Sequence, residues 1–345
     1  YEAYYTSLWD LVQRPSEAGQ SYEVVREKLA QFSTAIGGSD GAKRVSRDQW
    51  VDSLAVAASF AAPGFEWASS EAGALADQWI SAILPHLAIG ASDARLTSEV
   101  FKTMCAKRVK PYFGSRSGSG MTSQQPYVLM NGGNVGKSSF SDSDRWRKQP
   151  QCIATFTWAL RRIRAEDIAG SISYILPVIL ALVEDYDCQA KIWGLRAAQV
   201  LLGHDSAEFL RKSGIASVME KSTRECLTFR SEPGLGAELL RLGFETAIRL
   251  AQIMCLRRDD AEYTAQWWAL TERVVANNMY ISDNIAANSA LCAQIAPLCT
   301  ALGLAIARYL RPLVGILTRS LHSPIHLSPL ICQLHIVAME QLLAL

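Results

Sequence analysis

Residues 175 to 203 read ILPVILALVEDYDCQAKIWGLRAAQVLLG. Two apolar runs meet at an acidic corner, Glu184 to Asp187, and Lys191 follows four residues past the last aspartate. On the near side Ile172, Ile175, Leu176, Ile179 and Val183 recur at helical spacing, with Leu180 beside them. Val178 and Leu182 make the other side apolar too, which predicts a helix buried between neighbours. Beyond the corner Trp193, Ala197, Val200 and Leu201 form an apolar stripe, and Lys191, Arg196 and Gln199 are expected on the opposite face. The stretch therefore reads as a helical hairpin. An aspartate at its turn, Asp185 or Asp187, caps the second helix, because a carboxylate accepts from the free N–H groups of a helix start.

Helical periodicity continues outward in both directions. It predicts helices over 22–36, 48–61, 72–88, 95–109, 151–163, 215–228, 235–256, 261–278, 283–307, 309–321 and 328–345. Gly203 ends a helix, Asp205 caps the next with Glu208 at capping-box spacing, and Gly214 closes it. No run alternates as a strand does, so the class is all-α. Gly114 to Asp144 is the exception: its eight serines and six glycines bury too little apolar surface to offset the entropy of ordering. The chain divides into N-terminal helical repeats (1–113), a Ser/Gly-rich loop or linker (114–144) and C-terminal helical repeats (145–345).

Three apolar runs carry an internal proline, "ISAILPHLAI" (Pro85), "ISYILPVILAL" (Pro177) and "ARYLRPLVGIL" (Pro312). A proline inside a helix costs about 3 kcal/mol unless a bend is wanted. Its recurrence predicts a bent first helix in each of several stacked pairs. Proline in the first helix, aspartate at the corner and a basic residue early in the second helix together resemble the HEAT-repeat pattern. An irregular HEAT-like α-solenoid is the expected architecture, with Asp185, Asp187 and Lys191 structural.

Composition narrows function. Of 345 residues 49% are hydrophobic and 19% charged, and 34 basic residues against 33 acidic leave a net charge of +1. That balance supplies no overall field for nucleic acid or an anionic membrane. Eight cysteines contain no C-x-x-C pair and most lie in apolar helical patterns, as buried reduced thiols of a cytosolic or nuclear protein would. His322 and His326 are separated by Pro324, which predicts a loop and no metal site. The opening "YEAYYTSLWDL" has no signal-peptide pattern, and both ends look cut. Ala290 to Ala307 is uncharged, but Gln294, Pro297 and the closely following Arg308 and Arg311 favour a buried helix over a membrane span.

One segment imitates a phosphate-binding loop. In "NGGNVGKSSF" Gly136, Lys137 and Ser138 match its G-K-S, but Asn131 stands where the pattern requires glycine. The following "SFSDSDRWRKQP" is too polar to be the helix that receives phosphates, and no parallel sheet surrounds it. Lys137 is expected to be solvated. No H-E-x-x-H and no paired catalytic carboxylates occur. Asp259 and Asp260 read as a solvated turn. Trp267 and Trp268 cannot share one helix face, so one is core and the other is core or a partner anchor. No catalytic, cofactor or metal site is expected.

From Arg145 to about Met254 the chain resembles the Tel-two-interacting protein two family. "RWRKQPQCIATFTWAL", the hairpin "ILPVILALVEDYDCQAKIWGLRAAQVLL", "FLRKSGIASVMEKSTRECL" and "LLRLGFETAIRLAQIM" carry the resemblance. The matching positions are Trp146 with Lys148, Trp158, Pro177, Asp185, Asp187, Lys191, Gly194, and Leu210 to Gly214. Arg147 separates Trp146 from Lys148, Glu184 replaces a usual aspartate, and the loop "SEPGLG" is short. The resemblance implies a non-enzymatic subunit of the triple-T (TTT) co-chaperone complex, with the Tti-one and Tel-two subunits as partners. It implies support for phosphatidylinositol 3-kinase-related kinases with the heat-shock-protein-90 machinery, in cytoplasm and nucleus, without cofactor. A transport or phosphatase adaptor of HEAT type is the alternative, and a nucleotide hydrolase a distant third.

Overall fold

The structure is a computed structural model that describes residues 45–65, 67–68, 70–89, 95–113, 145–254, 261–281, 284–321, 336–337 and 339–340. The expected helix 22–36, the loop 114–144 with Asn131, Gly136 and Lys137, the pair Asp259 and Asp260, His322 and His326, and most of 328–345 lie outside the described residues. The fold is all-α; among the described residues the one extended pairing is an isolated bridge between Leu96 and Ile163. The chain divides into two compact units, one ending at Val178 and the other beginning at Ile179.

The first unit is built on α1 (Arg47–Ala61), which starts with a capping box between Ser46 and Gln49. Nearly all of α1 from Trp50 to Phe60 is buried, because it packs against α2 (Ser70–Ile83), α3 (Ser98–Arg108) and α5 (Gln151–Arg162). Its run of alanines brings backbones close enough for Thr155 Oγ1 of α5 to donate to the Ala55 carbonyl at 2.9 Å. A one-turn helix, α4 (Arg145–Lys148), precedes α5.

Helix α6 (Ile168–Val183) carries the chain from the first unit into the second, with Pro177 inside it. Pro177 and Ser173, whose carbonyl the proline leaves without an i+4 donor, are both exposed. Water can satisfy that carbonyl, so the proline is tolerated there. Of the three prolines expected inside bent helices, Pro177 alone lies in a helix beyond its first turn. Pro85 lies in the 3-10 turn Leu84–Leu87 that ends α2, and Pro312 lies in the first turn of α14 (Leu310–Leu321). At both places proline removes no intrahelical hydrogen bond.

The second unit centres on α10 (Gly236–Met254), whose Leu240, Phe244, Ala247 and Ile248 enter the main core cluster. Around it pack α7 (Cys188–Gly203), α9 (Ile215–Thr223), α11 (Ala261–Asn278) and α12 (Ile285–Cys292). The short helix α8 (Ala207–Lys212) is capped differently from expectation: Ser206 holds the N-cap position and makes no side-chain cap bond, and Asp205 lies one residue too early.

The single helix expected over 283–307 is instead α12, α13 (Ile295–Leu302) and a 3-10 stretch, Gly303–Tyr309. A break at Ala293 and Gln294 restarts the helix so that Pro297 falls in its first turn, where it fits. By length and composition alone Ala165–Val183 and Ile285–Leu321 are apolar enough to cross a membrane. Here they supply core residues such as Ile175, Leu182, Leu291, Leu298 and Leu313, all fully buried.

Candidate functional site

The acidic corner is built by its own aspartates. Asp187 is the N-cap of α7, and its Oδ2 accepts from the Ala190 N–H at 2.8 Å. Asp185 Oδ1 accepts from the Asp187 N–H at 2.8 Å, closing the turn one step earlier. The two carboxylates divide the work that one was expected to do. Between them Tyr186 is thrown outward, 74% exposed.

Lys191 departs from expectation. It was placed on the polar face of α7, yet its side chain is 1% exposed. Its Nζ donates to the carbonyl of Val183, the last residue of α6, at 2.8 Å. Glu225 Oε2 stands 3.9 Å from the same ammonium and is itself 72% exposed. A cation at the negative end of α6 is favourable, and the lysine stem fills apolar space on the way.

The apolar face of α7 is shifted from the expected one, of which only Ala197 and Leu201 are buried. Trp193 and Val200 are half-buried, whereas Ile192, Leu195, Ala198 and Leu202 are buried together with Lys191 and Gly194. Gly194 explains the shift. A Cβ built there would stand 2.7 Å from the Val183 N and 2.8 Å from the Leu182 Cβ. The bare backbone of Gly194 therefore faces α6 at the crossing, which turns its neighbour Trp193 away.

The corner is tied to the end of α9 and to the segment after it. Ser222 Oγ donates to Glu184 Oε1 at 2.7 Å, and Arg230 Nη1 donates to the Tyr186 carbonyl at 3.1 Å. Cys226 Sγ approaches the Val183 carbonyl at 3.9 Å. Burial pushes the Cys226 thiol up to about 11, with Lys191 and Arg230 drawing it the other way. From the far side a Cβ on Gly243 would meet the Cys226 carbonyl at 2.8 Å. Asn277 of α11 then clamps the following residues, accepting from the Phe229 N–H at 2.8 Å and donating to the Leu227 carbonyl at 2.7 Å. Sequence reasoning missed Cys226, Gly243 and Asn277; a glycine inside the apolar pattern of α10 was the available signal for a close approach.

Of the remaining motif residues, Trp146, Trp158 and Gly214 also hold structure. Trp146 is buried, stacked on Phe113 at 6.1 Å, with the Arg147 guanidinium 4.5 Å from its ring. Trp158 is buried beneath the Arg162 guanidinium at 4.5 Å, and Lys148 is exposed. Gly214 starts α9 at φ +76°, a left-handed conformation that glycine adopts without strain. Pro177 lies in α6, outside the network at the corner. Trp267 is core, while Trp268 is half-buried and donates to the Ala305 carbonyl at 3.4 Å.

These groups interlock helices; none is paired with a second group in the manner of a nucleophile and its base. The six described cysteines are free and buried. Among the described residues no group of three or more His, Cys, Asp or Glu side chains is placed to hold a metal ion. Residues 53–327 match the model of the Tti2 family. No curated protein and no solved structure matches the chain.

Proposed function

Because the chain belongs to the Tti2 family, we propose that it is a non-enzymatic scaffold subunit of the TTT co-chaperone complex. Its partners are the Tti-one and Tel-two subunits. With them it supports the maturation and stability of phosphatidylinositol 3-kinase-related kinases, in association with the heat-shock-protein-90 machinery, in cytoplasm and nucleus. The observation that carries this reading is the family match over residues 53–327, which includes most of both units. The chemistry of the corner supports it: Asp185, Asp187 and Lys191 bond to backbone groups of their own hairpin. Stacked helical pairs offer broad surfaces to protein partners without a cofactor.

Co-expression with the Tti-one subunit tests the reading. Co-elution as one monodisperse species in size-exclusion chromatography is expected. A folded chain that elutes apart from Tti-one at micromolar concentration would refute it.

A further inference from the structure

The near-neutral net charge hides a local excess. Of the eleven residues 107–113 and 145–148, six are Lys or Arg and none is Asp or Glu. The two stretches meet in space. The Phe113 ring, just past α3, stacks on Trp146 of α4 with an interplanar angle of 6°. The stack sets the segment that carries Lys107, Arg108 and Lys110 against the helix that carries Arg145, Arg147 and Lys148.

Helix chemistry explains part of this set. Lys107 and Arg108 occupy the last turn of α3, where cations suit the helix dipole, and they pair with Asp48 at 2.9 Å and Asp52 at 3.0 Å. It does not explain the others. Lys110 lies past the end of α3, its ammonium 5.9 Å from the centre of the Tyr174 ring, and it is exposed. Lys148 is exposed on a helix of one turn. The chain joining the two stretches leaves the excess unchanged, since Arg116 and Lys137 balance Asp142 and Asp144.

We propose that this end of the first unit docks an acidic segment of a partner protein. Charge complementarity sets the sign of the occupant, and the aromatic rings set its class. Trp146 is 4% exposed and sandwiched between Phe113 and Arg147, so it presents no open face to a nucleobase. Asp48 and Glu99 are already paired, with Lys107 at 2.9 Å and Arg47 at 2.8 Å, which leaves Lys110 and Lys148 rather than this flank to meet an anion. A peptide can place its carboxylates against Lys110 and Lys148 and avoid that flank.

The test is fluorescence anisotropy with the full chain and a fluorescein-labelled poly-glutamate peptide, at low and at physiological salt. Binding that weakens as salt rises is expected. The double variant Lys110→Glu, Lys148→Glu should weaken it about tenfold or more, and Lys221→Glu in the second unit should leave it unchanged. Both lysines are exposed, so melting temperature should hold; the milder Lys110→Gln, Lys148→Gln pair should show the same loss in smaller measure. Peptide binding that is absent, or indifferent to these lysines, overturns the proposal. So does tighter binding of an oligothymidine strand or a DNA duplex through the same two lysines.

Discussion

The ammonium of Lys191 sits 2.8 Å from the carbonyl oxygen of Val183, joining the first turn of one helix to the last turn of the helix before it. The two are eight positions apart in the chain, and the corner between them carries its own acidic hydrogen bonds. Cys226 and Glu225 approach the same point from the next element. The hairpin is thus fastened by a buried amine, and the exposed corner is held by the Asp185 and Asp187 carboxylates accepting from backbone N–H groups.

Replacing Lys191 by methionine tests this fastening, because it keeps most of the stem and removes the donor. The Val183 carbonyl then keeps only the weak Cys226 thiol donor at 3.9 Å, and a loss of about 1–3 kcal/mol is expected from urea denaturation. Lys191→Ala should cost more, since it also empties the space that the stem fills.

Gly194 should accept no side chain. Alanine gains up to about 1 kcal/mol of helix propensity over glycine, but its Cβ would press on the Val183 backbone and the Leu182 Cβ. Overpacking of this kind costs about 1–3 kcal/mol, so Gly194→Ala should lower the melting temperature and Gly194→Leu lower it further. A raised melting temperature for the alanine variant would mean that the two helices cross elsewhere.

Asp187 should behave as a cap and nothing more. Asp187→Ala removes the bond to the Ala190 N–H and should cost about 1 kcal/mol, while Asp187→Ser should recover most of it. Thermal denaturation of the pair distinguishes a capping role from a catalytic one, which serine would not restore.

The Cys226 thiol should be protected. Burial raises it from the ordinary 9.0 to about 11, so the folded state disfavours its thiolate. The linked stability is fully present below pH 9 and is lost as pH rises through about 11. Below pH 9, native protein treated with iodoacetamide should be alkylated at Cys226 far more slowly than unfolded protein, as read by mass spectrometry. Equal rates would place that thiol in solvent.

The class and the hairpin were legible because helical periodicity survives local noise. The span predicted for α11, 261–278, matches the structure residue for residue. What misled was the equation of charge with exposure. Counted as polar, Lys191 turned the apparent face of α7 by one residue and brought Trp193 inward; in the structure a glycine crossing sets the face instead. Proline was misleading for a related reason, since its meaning depends on position within a helix. Pro312 sits in the first turn of its helix, and Pro297 in a first turn that the sequence pattern ran together with the helix before it. Long-range clamps such as Asn277 on Leu227 and Phe229 leave no periodic trace. The basic end of the first unit was hidden by a whole-chain charge sum.

The most direct test of the proposed role is acute depletion of the protein in cells, followed by quantification of the phosphatidylinositol 3-kinase-related kinases and their transcripts. The account predicts that the kinase proteins fall together while their transcripts hold, and that the wild-type chain restores them. Unchanged kinase levels with the other two TTT subunits intact would contradict it.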